Sequence, residues 1–133
     1  MKKDIPILKV EDIAIAVVPR DKEEDELWDI FLINLKETAI DNVLVNSQGY
    51  GQIGGEKVKT TILRHYFESI GPLSFAQIEP IQTKLFGLTN EYWVSFVQDS
   101  YMYDKKYVFV QGSIAQDNFT TIPFIGRKGV MIR

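Results

Sequence analysis

The sequence has no cysteine and a single histidine, His65. Without cysteine there can be no disulfide, thiolate nucleophile, zinc ribbon or cysteine-ligated iron–sulfur cluster. One histidine is too few for a two- or three-histidine metal site within one chain. A basic excess is also missing: Lys plus Arg is 15 and Asp plus Glu is 18, a formal charge of -3. A nucleic-acid binder needs cations for phosphate contacts, so this balance argues against one. Long hydrophobic runs are absent. Ile13 to Val18 is the longest near the start, and a transmembrane helix needs about 20 apolar residues. Lys2 and Lys3 look like the head of a signal peptide. Asp4, Pro6, Lys9, Glu11 and Asp12 interrupt the apolar stretch that should follow. The expectation is a cytoplasmic protein without a membrane partner, metal or cofactor.

What is present suits one packed domain over residues 1–133. Apolar residues make up 45% of the chain, enough for a core and too many for a disordered segment. The periodicity is mostly that of strands. Ile13–Val18 is an apolar run ended by Pro19, and a charged turn follows from Arg20 to Glu26. Leu27 to Leu35 reads as a strand with Trp28, Ile30 and Leu32 on one face and Phe31, Ile33 and Leu35 on the other. Asp41-Asn42 is a turn signal before Val43-Leu44-Val45. Further strands are expected at Phe75–Glu79 (stopped by Pro80), Glu91–Gln98 and Tyr107–Val110. Thr120–Ile125 and Val130–Ile132 should form a closing hairpin around Gly126–Gly129. Residues 58–70 carry apolar side chains at helical spacing, yet Val58, Thr60, Thr61 and Ile62 are β-branched. We read them as strand.

About eight strands with regular turns is the pattern of a β-sandwich or small barrel. The stretch with Trp28 and Asn34, the turn at Asp41-Asn42, Val43 to Ser47 and a glycine bend resembles the middle of immunoglobulin-like sandwiches. That resemblance covers roughly a quarter of the chain by its strand pattern. It implies an all-β, immunoglobulin-like antiparallel sandwich of about seven to nine strands. The chain also resembles small bacterial proteins of which some are labelled phenylalanyl-tRNA synthetase alpha subunit. It is too short for that catalytic domain and has no class II synthetase motif.

Four candidate sites stand out. Gly49-Tyr50-Gly51-Gln52-Ile53-Gly54 is a literal G-x-G-x-x-G. That motif binds a pyrophosphate only between a strand and a helix, and a β-branched run follows here, so a mobile loop, hairpin or bulge is expected, with Tyr50 exposed at a loop tip. His65 could act as a general base, with Ser69 and Glu68 near it in sequence, but no G-x-S-x-G elbow accompanies it. The run Asp21 to Glu26, with five acids and one lysine, lacks the spacing of a calcium loop and reads as a solvated connection. The fourth is aromatic. Tyrosine and tryptophan join a large apolar face to a polar tip, which suits partner contacts. Trp93, Tyr101 and Tyr103, with Tyr50 between its glycines, are the candidate binding residues.

With catalytic constellations missing and apolar strand faces abundant, the expected function is non-enzymatic, a protein-interaction or assembly module. The alternative is a lipid or small-molecule carrier in a closed β-barrel. Both faces of Leu27–Leu35 are apolar, so something beyond a facing sheet must cover one of them. The N-terminal arm around Ile5, Pro6, Ile7 and Leu8 or a second copy could do so, and the second choice predicts a homodimer.

Overall fold

The structure, a computed structural model, describes residues 8–20 and 26–133. The Ile5–Ile7 arm and most of the acidic run (residues 21–25) lie outside the described residues. Among the described residues ten strands build two antiparallel sheets that face each other and do not close into a barrel. The first sheet has the order β6-β2-β1-β10-β9, from β1 (Ile13–Pro19), β2 (Leu27–Asn34), β6 (Ser74–Gln82), β9 (Thr120–Thr121) and β10 (Lys128–Ile132). The second has β3 (Ile40–Ile53), β7 (Thr89–Gln98) and β8 (Tyr101–Phe109) side by side. Along the other side of β3 run β4 (Glu56–Lys59) and β5 (Leu63–Ile70), one after the other. β1, β2 and β6 in one layer and β3, β7 and β8 in the other make the two-layer arrangement of an antiparallel β-sandwich. The strand number exceeds the expected range because β4 and β5 share one edge and β9 has two residues. The closed barrel that the carrier alternative required does not form.

Alternation places the core. From β1 and β2, Ile13, Ile15, Val17, Ile30 and Leu32 point between the sheets, where they meet Val43, Val45, Val94, Phe96, Tyr107 and Phe109. The other faces of the same two strands supply Ala14, Ala16, Val18, Phe31 and Ile33 to a second, smaller cluster. The two-faced character of β2 is therefore real, and the chain covers both faces itself. Ile122 and Ile125, from the turn between β9 and β10, lie on the outer face, with Met131 of β10 beside them. Phe31 and Ile33 are buried to 5% and 0% exposure. The argument for a homodimer through β2 thus loses its premise.

Local chemistry explains the differences from the expected elements. Asp41-Asn42 is no turn: β3 runs through it, with a register shift against β7 and Asn42 at φ 49°. Asparagine tolerates that left-handed backbone, so it serves a bulge as well as a turn. Pro80 does not stop β6, because β6 is an edge strand and an edge can spare one N–H. Glu79 and Pro80 together oppose Asp29, which makes the bulge between Trp28 and Ile30. Residues 122–125 leave the sheet at Pro123, and Phe124 sits at φ 68°. Tyr101 and Tyr103 lie in β8. The turn is Asp99-Ser100, with φ 51° and 67°, a two-residue mirror-type hairpin that opens β8 at Tyr101. Residues 58–70 are strand, with a break at 60–62.

Candidate functional site

The outer faces of the two sheets differ. That of β1 and β2 lies under the β9–β10 turn. Among the described residues nothing covers that of the second sheet, and it is where Trp93 emerges. Asn90, Tyr92, Val94 and Phe96 of β7 point inward, so Glu91, Trp93, Ser95 and Val97 point out. Register aligns two rows across the sheet. One reads Arg64, Asn46, Trp93, Lys106, and the next reads Tyr66, Leu44, Ser95, Asp104. Met102 lies opposite Val97 beyond the second row. Four apolar side chains on this face are exposed: Leu44 36%, Trp93 45%, Tyr66 61% and Met102 74%.

Polar contacts hold the aromatic groups in place. The Trp93 indole N–H donates to Asp104 Oδ2 at 2.9 Å. Lys106 Nζ stands 4.9 Å from the centroid of the Trp93 ring and 3.4 Å from Glu91 Oε1. The Tyr66 hydroxyl donates to Asn42 Oδ1 at 2.7 Å. A shallow depression of about 300 Å³ lies among Asn46, Trp93, Ser95, Met102, Tyr103 and Asp104. In it the buried side-chain oxygen of Asn46 has no hydrogen-bond partner among the described residues. Such an oxygen gains from an incoming donor.

The structure disperses the other candidates. Tyr50 is not at a loop tip. It lies within β3, opposite Lys59 and Thr89, half-buried and three residues before the strand ends. Tyr103 stacks on Phe96, with ring centroids 5.2 Å apart and planes within 9°, so it packs against the core. Tyr101 is 56% exposed at the start of β8, opposite Gln98, and away from the two rows. Only Trp93 of the four stands at the centre of the open face. Its neighbours Asn46, Leu44, Tyr66 and Asp104 were not anticipated. The signal was present in the alternation of β3 and β5, which leaves Leu44 and Tyr66 on the face opposite Val43, Val45 and Phe67.

The glycine motif is a hairpin. β3 turns at Gly54-Gly55, with φ 60° and 81°, directly into β4. A phosphate-binding helix has no place there. His65 faces the gap between β5 and β6, with Nε2 buried and 3.8 Å from Glu79 Oε2. Ser69 lies about 13 Å away along the same strand, so it is no nucleophile for this imidazole. Glu79 also borders a 200 Å³ cleft at the edge of the sandwich, with Thr60, Ile81 and Tyr92. The Thr60 hydroxyl there already accepts the Gly49 N–H at 2.7 Å. Among the described residues, no three His, Asp or Glu side chains converge as metal ligands. No helix there is long and apolar enough to cross a membrane. No protein-family model matches the chain, and no curated protein matches it in sequence.

Proposed function

We propose that the protein is a non-enzymatic interaction module that binds a protein partner on the open face of its second sheet, around Trp93. The contrast between the two outer faces carries this reading. One is closed by Ile122 and Ile125 of the same chain, while the other displays Leu44, Tyr66, Trp93 and Met102 to solvent. Tryptophan, tyrosine and methionine are enriched in protein interfaces, and a tryptophan held by its neighbours loses little entropy on docking. Arg64, Glu68, Glu91 and Lys106 add charges of both signs around the apolar centre, the usual composition of an interface rim. The reading sets the protein in the cytoplasm, where a cysteine-free chain gives up nothing.

The test starts from the immobilised chain in a lysate of its source. Captured proteins are identified, produced alone and titrated against the parent, Trp93→Ala, Tyr66→Ala and, as a control remote from the face, Leu73→Ala. The expected result is a direct partner whose affinity falls at least about tenfold with Trp93→Ala, as for an interface anchor. Leu73→Ala should change nothing. A partner bound equally by all four proteins overturns the reading.

A further inference from the structure

Among the described residues the two sheets leave four edges, and three are blunted. β6 carries Pro80 and a bulge, β9 has two residues, and the β4–β5 edge is broken at residues 60–62. These are the usual protections against strand addition. The fourth edge, β8, has no proline, bulge or break; its protection is the charged run Asp104-Lys105-Lys106, which a pairing register has to accommodate. It runs nine residues without proline, and its pairing with β7 is continuous from Tyr101 to Phe109. Its far side has no strand partner among the described residues.

We propose that β8 is the self-association edge of this protein, pairing antiparallel with β8 of a second copy about a twofold axis at Lys105. The sequence of the strand is complementary to itself in that register. On the outer face Asp104 falls opposite Lys106 of the second copy, twice by symmetry, and Met102 falls opposite Val108. Opposite charges and apolar pairs directly across a ladder are the favourable combinations. Moving the axis one residue either way sets Asp104 against Asp104 or Lys106 against Lys106. At the axis itself Lys105 meets Lys105. Each Lys105 Nζ lies 5.0 Å from the ring centroid of its own Tyr107. It therefore leans along its strand, and antiparallel strands send the two ammonium groups in opposite directions. The product is one continuous sheet of ten strands, five from each copy. A twofold axis perpendicular to it puts both Trp93 faces on the same side, so the dimer presents two docking sites to one surface. Asp104 and Lys106 also touch Trp93, but the test of the pairing needs no docked partner.

Light scattering behind size exclusion, at high micromolar concentration, should give twice the 15.3 kDa mass of one chain. Asp104→Lys places like charges opposite Lys106 and should return the mass to one chain. Adding Lys106→Asp to it should restore the dimer. A second test does not depend on that variant folding. The chain has no cysteine, so in the double variant Met102→Cys, Val108→Cys any disulfide forms between the two introduced positions. Within one copy they are about 20 Å apart along the strand, beyond disulfide reach. Mild oxidation should link two chains. A one-chain mass for the parent, a dimer indifferent to Asp104→Lys, or a double-cysteine variant that stays uncrosslinked overturns the proposal.

Discussion

The Tyr107 hydroxyl donates a 2.6 Å hydrogen bond to the carbonyl oxygen of Ile13, joining β8 of one sheet to the first residue of β1 in the other. Tyr107 has no exposed surface. Removing the hydroxyl in Tyr107→Phe deprives a buried carbonyl of its donor, which should cost about 1–2 kcal/mol in a urea titration. Burial also pushes the ionisation of Tyr107 and of Tyr92 well above the usual tyrosine range. A group whose folded pKa is raised contributes its full stability below its unfolded pKa, near 10, and loses it as pH rises beyond. Stability should therefore be insensitive to these groups from pH 7 to 9. Above about pH 10 it should fall by about 1.4 kcal/mol per pH unit for each buried tyrosine. Tyr107→Phe should fall less steeply, by one tyrosine's share, and an unchanged slope would refute this account.

Asp29 is the buried charged residue among the described residues, placed on the apolar strand β2 opposite the bulge of β6. Arg20 Nε donates to its Oδ1 at 2.9 Å and Arg127 to its Oδ2 at 3.1 Å, while Gln77 donates to Oδ1 at 3.2 Å. Arg127 also donates to the Pro19 carbonyl and lies over the Phe31 ring. The cluster thus fastens the β9–β10 turn to β1 and β2. Asp29→Asn should cost about 2–3 kcal/mol, less than the loss of a fully buried pair, because both arginines keep a third of their side chains in water. Thermal unfolding of Asp29→Asn and Arg127→Met checks this. The two losses should add to more than the loss in the double variant, since the residues share one network.

Gly129 lets β10 approach β1. A Cβ on it would sit 2.3 Å from the Val17 carbonyl oxygen and 3.0 Å from Val18 Cα, and both are backbone or its immediate neighbour. Neither can swing away as a flexible side chain would. Gly129→Ala should therefore cost about 1–3 kcal/mol or more, the range for overpacked cores. Gly87→Ala, with open space around the new atom, is the matched control and should stay within about 0.5 kcal/mol of the parent. Equal midpoints for the two variants would contradict the close approach.

Elements whose pattern is local were legible in the sequence. The alternation of Leu27–Leu35 gave both faces of β2 correctly, and the β-branched start of residues 58–70 outweighed their helical spacing. The Gly54-Gly55 hairpin was legible because two glycines adopt positive φ without strain. Asp99-Ser100 has no glycine, so its turn passed unread and the start of β8 with it. Long-range contacts were the larger gap. Nothing near Phe31 and Ile33 announces that Ile122 and Ile125, some ninety residues on, will cover them. Trp93 was recognised by residue type alone. Its setting depends on which strands neighbour β7, and only the register of β3, β5 and β8 supplies Asn46, Leu44, Tyr66 and Asp104.

The covered and open faces can be told apart by one substitution on each. Leu32 points between the sheets and Ile33 points under the β9–β10 turn, and neither has exposed surface. A glutamate at either position would bury a carboxylate without a partner, at a cost of several kcal/mol. Against a total stability of about 5–15 kcal/mol for a domain, both Leu32→Glu and Ile33→Glu should lose cooperative unfolding or fail to accumulate as soluble protein. Leu44 is also apolar and also on a central strand, but it lies on the open face and is 36% exposed. Leu44→Glu should fold, with a melting temperature within a few degrees of the parent. Circular dichroism melts of the three variants decide the matter. A folded Ile33→Glu with a parent-like melt would mean that the outer face of β2 is open in solution and not closed by Ile122 and Ile125.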